Sequence, residues 1–355
     1  MFFEWFVKNN QEWVQNMRDT LHHEDSEPNL SLSPYHLEGD VWSHTCMVYT
    51  QAKVKYPEDY LNLEIAVVLH DIGKVNCFTI EEKDGRKIKR FSNHEGRSMF
   101  DSYGLIKQFA KDNPTVCMTE ERIEMILTAI ALHGRLYTDG FKMENLGVLP
   151  YETRNLLLGL ISCDVPGRVV SSDKDRKLTV SDRVYNEVLC LPEPKVNNSS
   201  APKLVLLVGV PGSGKSTYVE EHMKGYTIVS RDALIMEAAD PRLSYSEAWR
   251  EADHQEIDRK LMTIFSTALK NGEDIVIDMT NMTKKGRRKF IIPARQKNYY
   301  ISAIVFLVRT EDAYINRCLL SKKFVPWHAI VGMMNRFTFP LADEVDVLEF
   351  HHYTD

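Results

Sequence analysis

Lys203-Leu-Val-Leu-Leu-Val-Gly-Val-Pro-Gly-Ser-Gly-Lys-Ser-Thr217 decides the reading of the carboxyl-terminal half of the chain. Leu204 to Val208 is an unbroken apolar run, the signature of a short buried strand. Gly209 to Ser216 then spells G-x-x-x-x-G-K-[ST], a phosphate-binding loop in its expected place between a strand and a helix. Phosphate oxygens must approach backbone N–H groups, so Gly209, Gly212 and Gly214 carry no side chain there. The helix that follows points its positive end at the same anion. Lys215 brings a point charge to the β- and γ-phosphates, and Ser216 can ligate Mg²⁺. The stretch predicts that Gly209, Gly212, Ser213, Gly214, Lys215, Ser216 and Thr217 bind ATP, or another nucleoside triphosphate, with Mg²⁺.

Working outward, strands are expected at 204–208, 226–230, 274–278 and 302–308 with helices between them. That alternation predicts an α/β domain with a parallel sheet and crossover helices. Upstream, Cys190 to Lys203 is rich in proline and small polar residues and reads as a linker. Before it, large apolar residues at helical spacing (Phe2, Phe6, Trp13, Met17, Leu21) start a mainly α-helical region. Residues 23–34 read as a loop. Helices are expected near 40–55, 61–69, 94–111, 120–133 and 151–164, and Asp84-Gly85 marks a hairpin or an irregular excursion within 78–91. The chain is thus expected to be multidomain, with one domain over 1–190, a linker over 191–202 and a second domain over 203–355. Phe337–Asp355 stays unassigned.

At 355 residues the chain can bury two cores. Its net charge of −6 advertises no global basic field for nucleic acid. Residues 1–199 carry 23 Lys and Arg against 30 Asp and Glu, and residues 200–355 carry 21 against 20, so a polyanion must be met by local patches. The six cysteines form no C-x-x-C pair and read as reduced, mostly buried thiols. No run approaches the length of a membrane span, and the amino-terminal stretch lacks the regions of a signal peptide. A cytoplasmic location with no membrane partner is expected.

In the first domain His70-Asp71 closes an apolar helix, and His44, His94, His133 and Asp164 lie in or at the edges of predicted helices. Neutral imidazoles and carboxylates suit borderline divalent metals, and a helical bundle can converge such ligands on its interior. His22, His23, His36, His254, His328, His351 and His352 read as surface or structural residues.

This order of residues resembles the HD phosphohydrolase superfamily over roughly residues 35–170. It is carried by Trp42-Ser-His44-Thr, Leu69-His-Asp-Ile-Gly-Lys74, Asn93-His-Glu95, Leu132-His133-Gly and Cys163-Asp164. The resemblance implies an all-α HD-type helical bundle. It implies a first metal at His44, His70, Asp71 and Asp164, and a second at His94 and His133. One or two divalent transition ions (Mn, Ni, Co, Fe or Zn) would hold a phosphate and activate a water. Lys74 and Arg168 are the cations expected to meet the phosphate oxygens.

In the second domain Arg231-Asp232 follows the second strand, where a carboxylate faces the substrate crevice and can accept a hydroxyl proton. Asp278 ends a later strand, as a Walker-B carboxylate or a substrate ligand would, and precedes Thr280-Asn281. Lys284, Lys285, Arg287, Arg288 and Lys289 form the densest basic cluster, either a solvated helix face or a grip on a nucleic-acid backbone. Arg317, with Lys322 and Lys323, reads as a lid over the triphosphate.

Residues 203–336 resemble the phage-type polynucleotide 5′-kinases through the Gly209–Thr217 loop, Ser230-Arg-Asp232, Asp278 with Thr280-Asn281, and the basic stretch before Val325-Pro326. The resemblance makes Asp232 the general base and Asp278 a substrate ligand, with Thr280, Asn281, Arg287 and Arg288 beside it. Two positions depart from the family. Ile235 stands where an arginine often holds the substrate 3′-phosphate, leaving Arg242 or Arg250 to replace it, and Met279 interrupts the usual Asp-Thr-Asn.

The order of the two modules resembles the bifunctional HD-domain polynucleotide kinases of RNA end healing. It implies phosphorylation of a 5′-hydroxyl, removal of a 2′,3′-cyclic or 2′/3′-phosphate, RNA ends (or DNA) as partners, and a functional link to an RNA ligase. The alternatives are a small-nucleotide phosphohydrolase fused to a metabolite kinase, and an ATP-binding module that regulates the first domain.

Overall fold

The structure, a computed structural model, describes residues 1–23, 35–57, 60–83, 85–137, 140–172, 182–194, 200–319 and 324–353. The chain divides into two compact units, Met1–Glu193 and Pro194–Asp355. The segment expected to begin the linker is tied to the first unit. Buried Arg154 donates to Leu191 O (2.8 Å) and Pro192 O (3.1 Å) and pairs with Glu193. Residues 195–199 of the expected linker lie outside the described residues.

The first unit is helical: α1 (Phe2–Asn9), α2 (Gln11–Asp19), α3 (Val41–Lys55), α4 (Leu61–Leu69), α5 (His94–Asp112), α6 (Glu120–Leu132), α7 (Tyr151–Asp164) and α8 (Asp182–Leu189). The single helix expected over the first residues is two, parted at Asn10. The loop expected at 23–34 lies, apart from His23, outside the described residues. α4 is apolar almost all round and is buried along Leu63–Leu69, so it forms the centre of the unit. Its one carboxylate, Glu64, is buried and accepts the N–H of Phe3, giving α1 an anion near its amino end. Asp40 starts α3 by accepting from Ser43 N at 2.8 Å, and Thr119 starts α6 in the same manner. Between α4 and α5 a 3₁₀ turn (Ile72–Asn76) leads to an antiparallel hairpin, β1 (Thr79–Lys83) and β2 (Arg86–Arg90). Asp84, the first residue of its expected turn, lies outside the described residues.

The second unit is an α/β domain. Its elements are β3 (Lys203–Val208), α9 (Lys215–His222), β4 (Thr227–Ser230), α10 (Arg231–Ala238), α11 (Tyr245–Glu251), α12 (His254–Asn271), β5 (Ile275–Asp278), α13 (Lys284–Gln296), β6 (Tyr300–Leu307), α14 (Thr310–Asp312), α15 (Trp327–Met334) and β7 (Val347–His352), with a π-helical stretch over Ala313–Leu319. The sheet runs β4-β5-β3-β6-β7, and every pair is parallel. Both faces of such a sheet are covered, so β3 and β6 read as continuous apolar runs. The core gathers Val205, Leu207, Val276, Ile304 and Phe306 of the sheet against Val219 of α9. The tail supplies the edge strand β7, with His351 and His352 at its end. No described helix is long and apolar enough to cross a membrane.

Candidate functional site

Each unit carries one candidate site. In the second, chain direction and strand order put the loop after β3 at the carboxyl end of the central strand, where α/β sheets bind ligands. Gly212 and Gly214 take φ of 80° and 93°, a left-handed backbone that glycine adopts without steric cost. At Gly209 an added Cβ would lie 2.9 Å from Phe306 Cβ and 2.8 Å from Ser213 Oγ, so only glycine fits. Lys215 lies back across the loop, donating to Val210 O (2.7 Å), Gly209 O (3.1 Å) and Ser213 Oγ (3.2 Å). Ser216 and Thr217 are exposed at the start of α9.

Ser216 Oγ donates to Asp278 Oδ2 at 3.0 Å, and Ser230 Oγ lies 3.5 Å from the same oxygen. Ser230 is Asp278's register partner across β4 and β5 and also caps α10. Asp232 sits in the first turn of that helix and accepts a 2.6 Å hydrogen bond from Tyr245 Oη of α11. Burial pushes the Tyr245 hydroxyl pKa up, and the neighbouring Asp232 carboxylate adds to it, so the phenol stays a donor. Sequence reasoning missed Tyr245 because the contact joins two helices thirteen positions apart.

The basic run after β5 divides. Arg287, expected to face substrate, is fully buried. It makes a two-pronged pair with Glu344 (2.8 and 3.0 Å) and donates to Asn281 O (2.9 Å), so it ties the tail to α13. Asn281, also expected at substrate, is buried with φ of 46°. Its amide donates to Leu207 O (2.8 Å) and Ile277 O (3.2 Å) and locks the β3–β5 crossover. Thr280 contributes its carbonyl, which accepts from Gly209 N at 3.1 Å. Lys284 pairs with Asp343, while Lys285, Arg288 and Lys289 remain on the exposed face of α13. Ile235 is 1% exposed and belongs to the core. Arg242 is exposed and paired with Asp240. Arg317 lies in the π-helical stretch, its side chain outside the described residues, as are Lys322 and Lys323.

In the first unit the helices bring together all six expected metal-binding side chains. His44 projects from α3, His70 and Asp71 follow α4, His94 opens α5, His133 follows α6, and Asp164 ends α7. All but His94 are at most 2% exposed, and His94 is partly covered. The imidazoles are oriented from behind. Nδ1–H of His70 donates to Val67 O, that of His94 to Phe91 O, and that of His133 to Ile130 O, each at 2.8 Å. Glu38 Oε1 lies 2.9 Å from His44 Nδ1. A carbonyl can only accept, so Nδ1 carries the proton in those three rings and Nε2 presents a lone pair inward.

Those lone pairs converge. His44 Nε2 is 3.3 Å from His70 Nε2 and 3.0 Å from Asp164 Oδ1. His94 Nε2 is 3.3 Å from His133 Nε2 and 3.0 Å from Asp71 Oδ1, an oxygen buried without a hydrogen bond. Asp71 Oδ2 faces the first pair, 3.3 Å from His70 Nε2 and 3.5 Å from His44 Nε2. Asp71 thus stands between two histidine pairs, one carboxylate oxygen to each. So many lone pairs at such separations repel unless a proton or a cation is shared among them, and the donor set fits one or two divalent ions.

Lys74 Nζ is 2.7 Å from Asp71 Oδ2, and Arg168 pairs with Asp164. Burial alone would raise both carboxyl pKa values. Lys74 and His70 hold Asp71 well below the carboxylate range, and Arg168 with His44 does the same for Asp164. Burial pulls His44 and His133 down, but the adjacent carboxylates outweigh it and both are raised, whereas burial leaves His70 lowered. A cavity of about 190 Å³ opens onto Asp71, His94, His133 and Asp164, with both cations in its wall. His36 also lines it and stacks on buried His22, ring centroids 4.4 Å apart, so these two histidines border the site rather than lying apart from it. Glu38 and His36 escaped the sequence reading because they reach the site from a loop with no periodicity.

The second unit is therefore a P-loop α/β domain of kinase-like architecture, its loop fitted to a nucleoside triphosphate with Mg²⁺, and the unit before it is helical. Residues 204–316 match the family model described as an AAA domain. The chain is 28% identical over 139 residues, 37% of its length, to a protein of Autographa californica nuclear polyhedrosis virus provisionally named bifunctional polynucleotide kinase/RNA ligase. The match spans only 20% of that viral protein. Among solved structures, the chain is similar to one in the structure of the Pnkp1/Rnl/Hen1 RNA repair complex, at 28% identity and a TM-score of 0.31, covering 41% of this chain and 49% of that one. It is also similar to Chaetomium thermophilum Kti12 in complex with ADP-AlF3, at 16% identity and a TM-score of 0.31, covering 43% and 90%.

Proposed function

We propose that the protein heals broken RNA ends, phosphorylating a 5′-hydroxyl with its second unit and removing a 2′,3′-cyclic or 2′/3′-phosphate with an HD-type first unit. The observation that carries this reading is that one chain holds both a phosphate-binding loop whose Ser216 hydroxyl meets the Asp278 carboxylate and a buried histidine–aspartate cage whose carboxylates pair with Lys74 and Arg168. The match to the viral protein named for polynucleotide kinase activity supports the kinase half. A break that leaves a cyclic phosphate and a 5′-hydroxyl needs both repairs before an RNA ligase can join it.

In the kinase, the loop N–H groups and Lys215 would hold the triphosphate, and Ser216 would ligate its Mg²⁺, which supplies charge neutralisation when bound. Asp232 takes the proton of the 5′-hydroxyl, whose oxygen bonds the γ-phosphorus as the bridging β–γ P–O bond breaks and ADP leaves. Asp278 positions the Ser216 hydroxyl, which makes it a magnesium-side residue more than a ligand of the acceptor. Arg317 is the proposed lid cation and Arg288 the proposed backbone contact.

In the first unit, His44, His70, Asp71 and Asp164 would hold one divalent ion, and His94 and His133, with Asp71 between, a second. Bound ions supply charge neutralisation and an ionised water at neutral pH. Asp71 and Asp164 stay ionised because Lys74 and Arg168 neutralise them. Those two cations line the cavity wall, where they would meet the oxygens of a bound phosphate.

The test is to incubate the protein with ATP, Mg²⁺, Mn²⁺ or Ni²⁺ and an oligoribonucleotide with 5′-hydroxyl and 2′,3′-cyclic phosphate ends. Gain of a 5′-phosphate and loss of the terminal phosphate are expected. Failure at the 5′ end with ATP bound removes the kinase claim, and failure at the 3′ end with every transition metal removes the phosphoesterase claim.

A further inference from the structure

The hairpin β1–β2 has no part in the chemistry above. Its residues 79–90 hold five cations (Lys83, Arg86, Lys87, Lys89, Arg90) against three carboxylates, inside a unit that is acidic as a whole. It is also joined to the cavity by a ladder of alternating cations and rings. Lys74, in the cavity wall, sits over the Phe91 ring at 5.6 Å. Lys89 of β2 sits 5.9 Å from that ring and 4.2 Å over the ring of Phe78, whose centroid is 6.3 Å from that of Phe91. Phe78 is 44% exposed, and Ile80, Lys89's register partner, is 47% exposed. The ladder is fixed to the site, because the Phe91 carbonyl accepts the Nδ1–H of His94.

We propose that Lys74, Phe91, Lys89 and Phe78 form a track for a single polynucleotide strand whose 3′ end enters the cavity. An alternation of ring faces and cations at these spacings is what stacked bases and intervening phosphates require, and it reads no particular sequence. A protein acting on free nucleotides has no use for exposed aromatic surface leading away from its cavity. Strand alternation puts Lys87 on the same face as Lys89, which extends the positive edge along β2. The track gives the first unit a length preference: each nucleotide upstream of the reacting phosphate adds a contact that a mononucleotide lacks. This inference rests on the phosphoesterase reading of the cavity, but the track can be tested apart from it.

The experiment has two arms on the full chain. In the first, binding of a fluorescent, 5′-phosphorylated oligoribonucleotide with a 3′-phosphate is followed by anisotropy for the unaltered protein, Phe78→Ala and Lys89→Glu. The track predicts affinity at least fivefold weaker in each variant and a shallower salt dependence in Lys89→Glu. Unchanged binding in both, with unchanged thermal melting, overturns it whether or not the cavity hydrolyses anything. In the second arm, kcat/KM is compared for an oligoribonucleotide 2′,3′-cyclic phosphate and a nucleoside 2′,3′-cyclic phosphate. The oligomer-to-monomer ratio is expected to fall about tenfold in both variants, and an unaltered ratio contradicts the proposal. Loss of hydrolysis of both substrates in the unaltered protein, with weakened binding in the variants, faults the phosphoesterase reading and leaves the track standing.

Discussion

Ser216 Oγ and Asp278 Oδ2 are hydrogen-bonded at 3.0 Å, joining the first residue turn of α9 to the end of β5. The hydroxyl proposed to meet Mg²⁺ is thereby held by a carboxylate on the neighbouring strand. Replacing Asp278 with alanine should weaken Mg²⁺ support of phosphoryl transfer roughly 10- to 100-fold, the usual cost of losing such an outer partner. Magnesium titration of the kinase rate checks this. An unchanged half-saturating Mg²⁺ concentration with weaker acceptor binding would return Asp278 to the acceptor side.

Asp232 is the proposed base, and Tyr245 holds one of its oxygens at 2.6 Å. Asp232→Asn should lower the 5′-phosphorylation rate by about 10²–10⁴-fold with ATP binding retained. Tyr245→Phe should give a smaller loss in kcat, through orientation alone. Single-turnover rates with saturating ATP distinguish the two, and an Asp232→Asn enzyme of full rate would displace the base.

The cage in the first unit predicts stabilisation by metal. An ion present at a hundred times its Kd adds about 2.7 kcal/mol to the folded state. Mn²⁺ or Ni²⁺ should therefore raise the melting temperature, and Asp71→Asn should abolish the shift. The shift should shrink as pH falls from 8 to 6. His44 and His133 have raised pKa values, so protons compete there at higher pH than for an ordinary imidazole, while Asp71 and Asp164 stay ionised throughout. Differential scanning fluorimetry at the two pH values reads this directly.

Arg287 and Glu344 are a buried pair, and removing one partner strands the other charge. Arg287→Ala should destabilise the second unit by about 3–5 kcal/mol, seen as a lower urea midpoint. Arg288→Ala, on the exposed face of the same helix, should leave that midpoint in place.

Thiol reactivity offers a check on the packing. Burial pushes the Cys77 thiol up to about 12 and raises Cys46 and Cys163, whereas Cys117 and Cys190 are exposed. Alkylation near neutral pH, followed by peptide mass spectrometry, should mark Cys117 and Cys190 first and Cys77 only after unfolding.

Much of this arrangement was legible because the chemistry is spelled locally. The glycines of 209–214 state a loop whose backbone must meet phosphate, and the apolar run over 61–69, closed by His70-Asp71, states a buried helix that ends at a polar site. What escaped was set by distance. Arg287 reads as part of a basic run, yet it shares an i, i+3, i+4, i+7 stripe with Phe290, Ile291 and Ala294, all buried, and that spacing was the available signal. Asn281 reads as a substrate ligand, but its amide is spent on carbonyls of β3 and β5. β7 is a short segment of mostly half-covered residues without alternation, and only its pairing with β6 makes it a strand. Glu38 and His36 are set against the cage by tertiary structure alone.

The most direct test of two independent repair sites in one chain is a paired assay on one RNA with a 5′-hydroxyl and a 2′,3′-cyclic phosphate. Asp71→Ala and Asp232→Ala proteins are given ATP, Mg²⁺ and Mn²⁺, and both ends are read by mass. The account predicts that Asp71→Ala yields 5′-phosphorylated RNA with its cyclic phosphate intact, and that Asp232→Ala yields trimmed RNA with its 5′-hydroxyl intact. Loss of both reactions from either single change, or of neither from both, would contradict it.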